Sequence, residues 1–163
     1  MKTLLIIRHA KAETVFSHND FERPLNERGK KDAPEMARRL LKKNIRINAF
    51  ISSPARRAKK TAQLFAEVYG CTEEDIILVS ALYQAQEETF KEVVAELNDN
   101  LDSVAIFAHN PGITHFANSL TAVNLDNMPT CSIFGVECNL SRWVDFGKAK
   151  KEFLFFDYPK NMG

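Results

Sequence analysis

Arg8 and His9 stand where the apolar run Thr3-Leu4-Leu5-Ile6-Ile7 ends, and two later segments repeat that arrangement. Asn48-Ala49-Phe50-Ile51 leads into Ser52-Ser53-Pro54-Ala55-Arg56-Arg57-Ala58, and Val104-Ala105-Ile106-Phe107-Ala108 leads into His109-Asn110-Pro111-Gly112. Arginine presents a planar fork of donors that fits two phosphate oxygens at once, and histidine can attack phosphorus or donate a proton near neutral pH. Burying such groups costs free energy unless something anionic pairs with them. Two histidines and two arginines gathered at one point therefore make a phosphate pocket by composition.

The elements that must gather them are legible in outline. Each of the three runs is short, aliphatic and without alternation, the pattern of a strand covered on both faces. Parallel strands deliver the residues that follow them to one carboxyl edge, where α/β sheets hold their ligands. Ser53 reads as an N-cap and Pro54 as the first residue of a helix running to about Tyr69. Residues 11–28 are polar with little periodicity, after which Ala33, Met36, Ala37, Leu40 and Leu41 recur at helical spacing. Pro34 falls inside that pattern, so either Asp32 and Glu35 cap the helix just before its regular part or the helix kinks there. A strand at Ile76-Ile77-Leu78-Val79, a helix from Glu87 to Leu97 and a helix from Gly112 to about Leu120 follow. Two aromatic-rich runs, Ile133 to Asn139 and Glu152 to Asp157, suit an antiparallel addition. The expected fold is α/β and three-layered, a mostly parallel central sheet with helices on both faces and an antiparallel C-terminal strand pair. No repeat, low-complexity tract or composition break divides residues 1–163, so one domain is expected.

Composition limits the partners. A net charge of +1 offers no global field for nucleic acid, so any basic pocket must be local. The amino-terminal apolar run breaks at Arg8, too early for a secretory signal, and no run reaches membrane-spanning length. Cys71, Cys131 and Cys138 are odd in number and lack metal-type spacing, which suits reduced, packing thiols in a cytoplasmic protein. No carboxylate cluster suits magnesium, and neither a GxxxxGK[ST] loop nor a G-x-S-x-G elbow occurs, so no metal or cofactor is expected. His18 and His115 lack strand-edge context and read as structural or exposed.

Helical phase separates the paired arginines. The helical neighbours of Arg56 are Lys60, Gln63 and Glu67, all polar; those of Arg57 are Thr61, Leu64 and Val68, which turn inward. Arg57 is therefore the pocket candidate.

Four motifs in order, Arg8-His9-Ala10, Arg23-Pro24-Leu25-Asn26-Glu27-Arg28-Gly29, Ser53-Pro54-Ala55-Arg56-Arg57-Ala58 and His109-Asn110-Pro111-Gly112, resemble the histidine phosphatase superfamily. The resemblance is to its smallest, SixA-type branch of phosphohistidine phosphatases, and it extends over nearly the whole length. It implies His9 as nucleophile, a phosphohistidine intermediate on it, and Arg8, Arg57 and His109 as groups that bind the phosphoryl oxygens. Arg57 is also the arginine that the SixA pattern selects. In the acid phosphatase branch an aspartate follows the second histidine, where this chain has Asn110. In the mutase branch a glutamate after the third strand serves as acid, which makes Glu87 and Glu88 the candidates, Glu88 foremost; either is equally a helix-start charge favoured by the dipole. Arg23 is a candidate substrate contact or a solvated loop residue. The implied substrate is a phosphorylated protein carrying phosphohistidine, with inorganic phosphate as product. The alternatives are a phosphatase for small metabolite or sugar phosphates and a non-catalytic phosphate- or phosphopeptide-binding module. Without a long insertion between the motifs, the pocket is expected to be shallow and open.

Overall fold

The computed structural model describes residues 1–14 and 19–161. Six strands, β1 (Lys2–Arg8), β2 (Ala49–Ser52), β3 (Ile76–Leu78), β4 (Ser103–Ala108), β5 (Ile133–Cys138) and β6 (Lys151–Asp157), form one sheet in the order β3-β2-β4-β1-β5-β6. β3, β2, β4 and β1 run parallel, and β5 and β6 are added antiparallel beyond β1. The expected architecture is therefore present. Among the described residues four α-helices interleave with the strands: α1 (Glu27–Lys42), α2 (Arg56–Val68), α3 (Glu87–Ala95) and α4 (Gly112–Asn118).

The lack of alternation in β1 has a direct cause. Leu5 and Ile7 pack with Met36 of α1 and Phe65 of α2, whereas Leu4 and Ile6 pack with Phe90 of α3 and Phe116 of α4. Helices cover both faces, so every residue from Leu4 to Ile7 is fully buried. Each such side chain contributes roughly 1.5–3 kcal/mol on burial. β3, at the sheet edge, ends at Leu78 and leaves Ile77 and Leu78 exposed.

Two helix starts differ from the sequence reading. α1 begins at Glu27, not near Ala33, capped by Asn26, whose side chain accepts from Gly29 N–H at 2.9 Å. The cap was hidden because the first turn and a half of α1 is polar. Pro34 lies inside the helix, so neither Asp32 nor Glu35 caps it. Gly29 is needed for approach: a Cβ there would collide with the Lys11 carbonyl. α2 begins at Arg56 with Ala55 at its N-cap position and no side-chain cap. The hydroxyl of Ser53 accepts from Ala55 N–H at 3.2 Å and faces a histidine instead of capping the helix.

At the amino end of β1, Lys2 is buried and its ammonium donates to the Asp99 carbonyl (2.8 Å), the Leu101 carbonyl (3.1 Å) and Asp102 Oδ1 (2.9 Å). Cys71, Cys131 and Cys138 are free thiols; burial pushes Cys131 up strongly and Cys138 to about 11. Among the described residues no helix is long and apolar enough to cross a membrane.

Candidate active site

Strand register brings the motifs together. Arg8 pairs with Ala108 and Ser52 with Phe107, so the residues just past β1, β2 and β4 are neighbours at one carboxyl edge. Backbone bonds continue the alignment: His9 N–H donates to the Ala108 carbonyl (3.1 Å) and Ser53 N–H to the Phe107 carbonyl (3.0 Å). From the other side, the Cys131 amide donates to the carbonyls of both Arg8 (3.1 Å) and His9 (3.0 Å). Cys131 adopts φ +61°, a left-handed conformation that non-glycine residues take only where the surroundings require it.

His9 is 6% exposed, and its Nδ1 lies 2.7 Å from the Ala10 carbonyl. A carbonyl can only accept, so the proton sits on Nδ1 and Nε2 keeps its lone pair. Arg57 Nε donates toward that lone pair at 3.4 Å. Thr61 ties α2 to this point: its hydroxyl accepts from Ala10 N–H (2.9 Å) and donates to the Arg57 carbonyl (2.8 Å). Arg57 is buried and Arg56 exposed, as helical phase requires. The His109 ring lies 5.2 Å from that of His9, with its Nε2 2.7 Å from Ser53 Oγ. Arg8 donates through Nη1 to the Met128 carbonyl at 2.9 Å. Among the described residues, Arg8 Nε and His109 Nδ1 are buried with no hydrogen-bond partner. Buried polar groups are normally satisfied, so two such nitrogens in one pocket mark a place where a ligand can supply the missing hydrogen-bond partners.

Asp20 and Tyr83 were missed by sequence reasoning. Asp20 opens a short 3-10 turn, Asp20–Glu22, and lies over Arg57. Arg57 donates to its carbonyl (2.7 Å) and to its Oδ2 (3.1 Å), Arg23 to its Oδ1 (3.0 Å), and the Tyr83 hydroxyl to its Oδ2 (2.8 Å). The Tyr83 ring stands edge-on to His109 at 5.6 Å. Only the Asp20-x-x-Arg23 spacing hinted at an ion pair; nothing local reports a contact with Arg57 across 37 positions. Arg23 is thus joined to the site through Asp20 and also donates to the Glu13 carbonyl at 3.2 Å. His9, Arg57 and His109 are nearly buried, with Asp20 bonded to Arg57 and Tyr83, itself packed by Phe21, edge-on to His109, which corrects the expectation of a shallow, open pocket.

Glu88 does not join this cluster. Its side chain is 78% exposed and ion-paired with Lys91 at 3.7 Å, on the rim of a groove shared with Asn110 and Pro111. Glu87 pairs with the same lysine at 2.9 Å. His115 is exposed, and His18 lies outside the described residues.

The charges act on one another. Burial, then His109, Arg57 and Arg8, hold His9 well below the ordinary histidine range against the opposing Ala10 bond. Burial and Arg57 take His109 down to about 3. Burial, Arg57 and Arg23 push the Arg8 guanidinium down as well. For Asp20, burial works the other way, but bonds from Tyr83 and Arg57 and the nearby cations bring it to about 2. At neutral pH the site is therefore two neutral imidazoles and an ionised carboxylate among arginines. Such a set can attack phosphorus with a bare nitrogen and hold oxyanions with fixed donors.

Residues 4–82 match the family model of branch 1 of the histidine phosphatase superfamily. Solved structures share the fold over nearly the full length. The protein histidine phosphatase SixA complexed with tungstate superposes with a TM-score of 0.84 at 20% identity, covering 99% of each chain. A protein assigned as phosphohistidine phosphatase SixA from Agrobacterium tumefaciens gives 0.81 at 23% identity, covering 97% of this chain and 98% of that one. A mycobacterial glucosyl-3-phosphoglycerate phosphatase gives 0.71 at 17% identity, covering 94% and 97%. No curated protein matches the chain significantly by sequence.

Proposed function

We propose that the protein is a phosphohydrolase that acts through a phosphohistidine intermediate on His9 and that its substrate is phosphohistidine in proteins. The observation that carries this reading is the His9 geometry: Nδ1–H held by the Ala10 carbonyl, and Nε2 bare beside Arg57. In the first step Nε2 bonds to phosphorus and the bond from phosphorus to the leaving group breaks. In the second, water adds to phosphorus, the Nε2–P bond breaks with its electron pair returning to Nε2, and inorganic phosphate departs carrying the water oxygen and both of its protons. The proton on Nδ1 stays in place throughout, so His9 returns to its starting tautomer. Arg8, Arg57 and His109 meet the phosphoryl oxygens, where catalysis of phosphoryl transfer mainly acts.

The substrate class is argued from the acid. Asp20 is ionised, with a pKa near 2, and Glu88 is exposed and paired with Lys91, so neither suits protonation of an alkoxide at neutral pH. An imidazole leaving group needs no such help: its second nitrogen carries a proton, and cleavage of the N–P bond releases neutral imidazole. The fold shared with the SixA structures supports the same reading. The fold shared with the glucosyl-3-phosphoglycerate phosphatase supports a second one, a small sugar-phosphate substrate.

Phosphate release from a phosphohistidine protein, measured beside a panel of sugar and serine phosphates, tests this directly. The expected order of kcat/KM is phosphohistidine, then activated aryl phosphate, then alkyl phosphates. Turnover is expected to persist in excess chelator, since the arginines meet the charge. Efficient sugar-phosphate hydrolysis without phosphohistidine cleavage would replace this reading with the second.

A further inference from the structure

We infer that Ser53 is a positioning residue that sets the tautomer of His109, placing the ring proton on Nδ1 as a donor to a phosphoryl oxygen. The inference rests on the proposed phosphoryl pocket for its purpose, and on hydrogen-bond accounting for its content.

Ser53 is fully buried. Among the described residues its hydroxyl has two partners, the Ala55 N–H at 3.2 Å and His109 Nε2 at 2.7 Å. The amide can only donate, so one lone pair of the oxygen is used there. Two arrangements remain for the histidine. If Nε2 carries the proton, the hydroxyl accepts twice, its own hydrogen is buried without an acceptor, and Nδ1 presents a lone pair to the pocket. If the hydroxyl donates to Nε2, serine is satisfied and the ring proton sits on Nδ1, then the one polar atom of this serine–histidine pair left without a partner. The second arrangement strands one group where the first strands two, and leaving a buried donor unmet is costly. It also gives the pocket a donor where the first would place a lone pair against an anion. His109 is then the counterpart of His9: in both rings Nδ1 carries the proton, but the Ala10 carbonyl fixes one so that Nε2 is free to attack, and Ser53 fixes the other so that Nδ1–H is free to bind. This explains why the serine at the head of the Ser53-Pro54 motif does not cap α2.

The test is nitrogen-15 NMR of histidine-labelled protein at neutral pH, with the His109 signals assigned through His109→Gln. The wild type is expected to show a protonated Nδ1 and an unprotonated Nε2 at His109. Ser53→Ala should move that ring toward the Nε2–H form, weaken orthovanadate binding and lower kcat/KM at least roughly tenfold, on the scale of one lost oxyanion donor. Ser53→Thr, which keeps the hydroxyl, should restore the Nδ1–H form. A wild-type proton on Nε2, or an unchanged tautomer in a folded Ser53→Ala protein, overturns the inference. Should Ser53→Ala fail to fold, the wild-type tautomer alone decides. Loss of all phosphatase activity in the wild type alongside the expected tautomer would instead sink the proposed function and leave this assignment standing.

Discussion

β1 carries a cation at each end, Lys2 buried and Arg8 half-buried, and the two ends are built oppositely. At the amino end the Lys2 ammonium has three donors and three acceptors, two carbonyls and the Asp102 carboxylate, all within the protein. At the carboxyl end Arg8 meets one carbonyl and leaves Nε unmet, and across β4 His109 leaves Nδ1 unmet. Saturated polar groups make a lock; unsaturated ones, held rigid by the same strand, make a receptor. The difference separates a buried charge satisfied within the fold from a half-buried one left open to a ligand, the role proposed above for Arg8, although both are charged residues at the end of one apolar run.

Substitutions at the two ends should therefore fail in different ways. His9→Ala is expected to remove turnover by several orders of magnitude while the denaturant midpoint stays close to wild type, because the intermediate cannot form and one local bond is lost. Brief exposure of the wild type to substrate should leave acid-labile phosphate on His9; label on a serine or cysteine would break the mechanism. Arg57→Ala should cost roughly 2–4 kcal/mol of transition-state stabilisation, the scale of a positioned oxyanion donor. Arg56→Ala, on the exposed face, should change kcat/KM little, and equal losses at the two positions would dissolve the distinction. Lys2→Met should do the converse, lowering unfolding free energy by about 1.5–3 kcal/mol with kcat/KM in the folded fraction unaltered.

Acid sharpens the comparison further, with the smallest effect per pH unit. The folded pKa values of His9 and His109 lie below the unfolded value near 6.5. Below pH 6.5 the unfolded chain takes up protons the folded one refuses, so stability falls with pH until His109 titrates near 3. Asp20 adds its own loss between about 3.8 and 2. Urea midpoints across pH 7 to 4 should fall less steeply for His109→Gln than for the wild type. The rate, in contrast, should hold through pH 6.5 if His9 is the nucleophile proposed above, because its imidazole stays neutral there; a decline centred at 6.5 would contradict that assignment.

The local features of this design were readable and the distant ones were not. Periodicity assigned Arg57 inward and Arg56 outward, and the unalternating runs marked β1, β2 and β4, because a side chain's direction follows from its own backbone. The start of α1 was missed because Asn26 is followed by Glu27, Arg28, Lys30 and Lys31, with no apolar stripe until Ala33. Asp20 on Arg57 and Ser53 on His109 span 37 and 56 positions, and no local pattern encodes such a pair. Ser53 was even misleading, since serine before proline suits a cap as well as a hydrogen bond to a ring. Glu88 shows the reverse error: its place after β3 fits the mutase pattern, but α3 turns it to solvent and Lys91.

The position of β1 between β4 and β5 also orders events in time. Arg8 and His9 are made well before the groups that frame them: Cys131, whose amide donates to both of their carbonyls, follows roughly 120 residues later, a delay on the order of ten seconds at typical elongation rates. Until then the dipeptide is an ordinary stretch of unfolded chain, since both neighbours of its strand are distant in sequence and such non-local pairings close late and slowly. The His9 imidazole is thus framed only after β4, Cys131 and β5 have been made, and a fragment ending before Cys131 would carry the Arg8-His9 dipeptide without the amide that holds it.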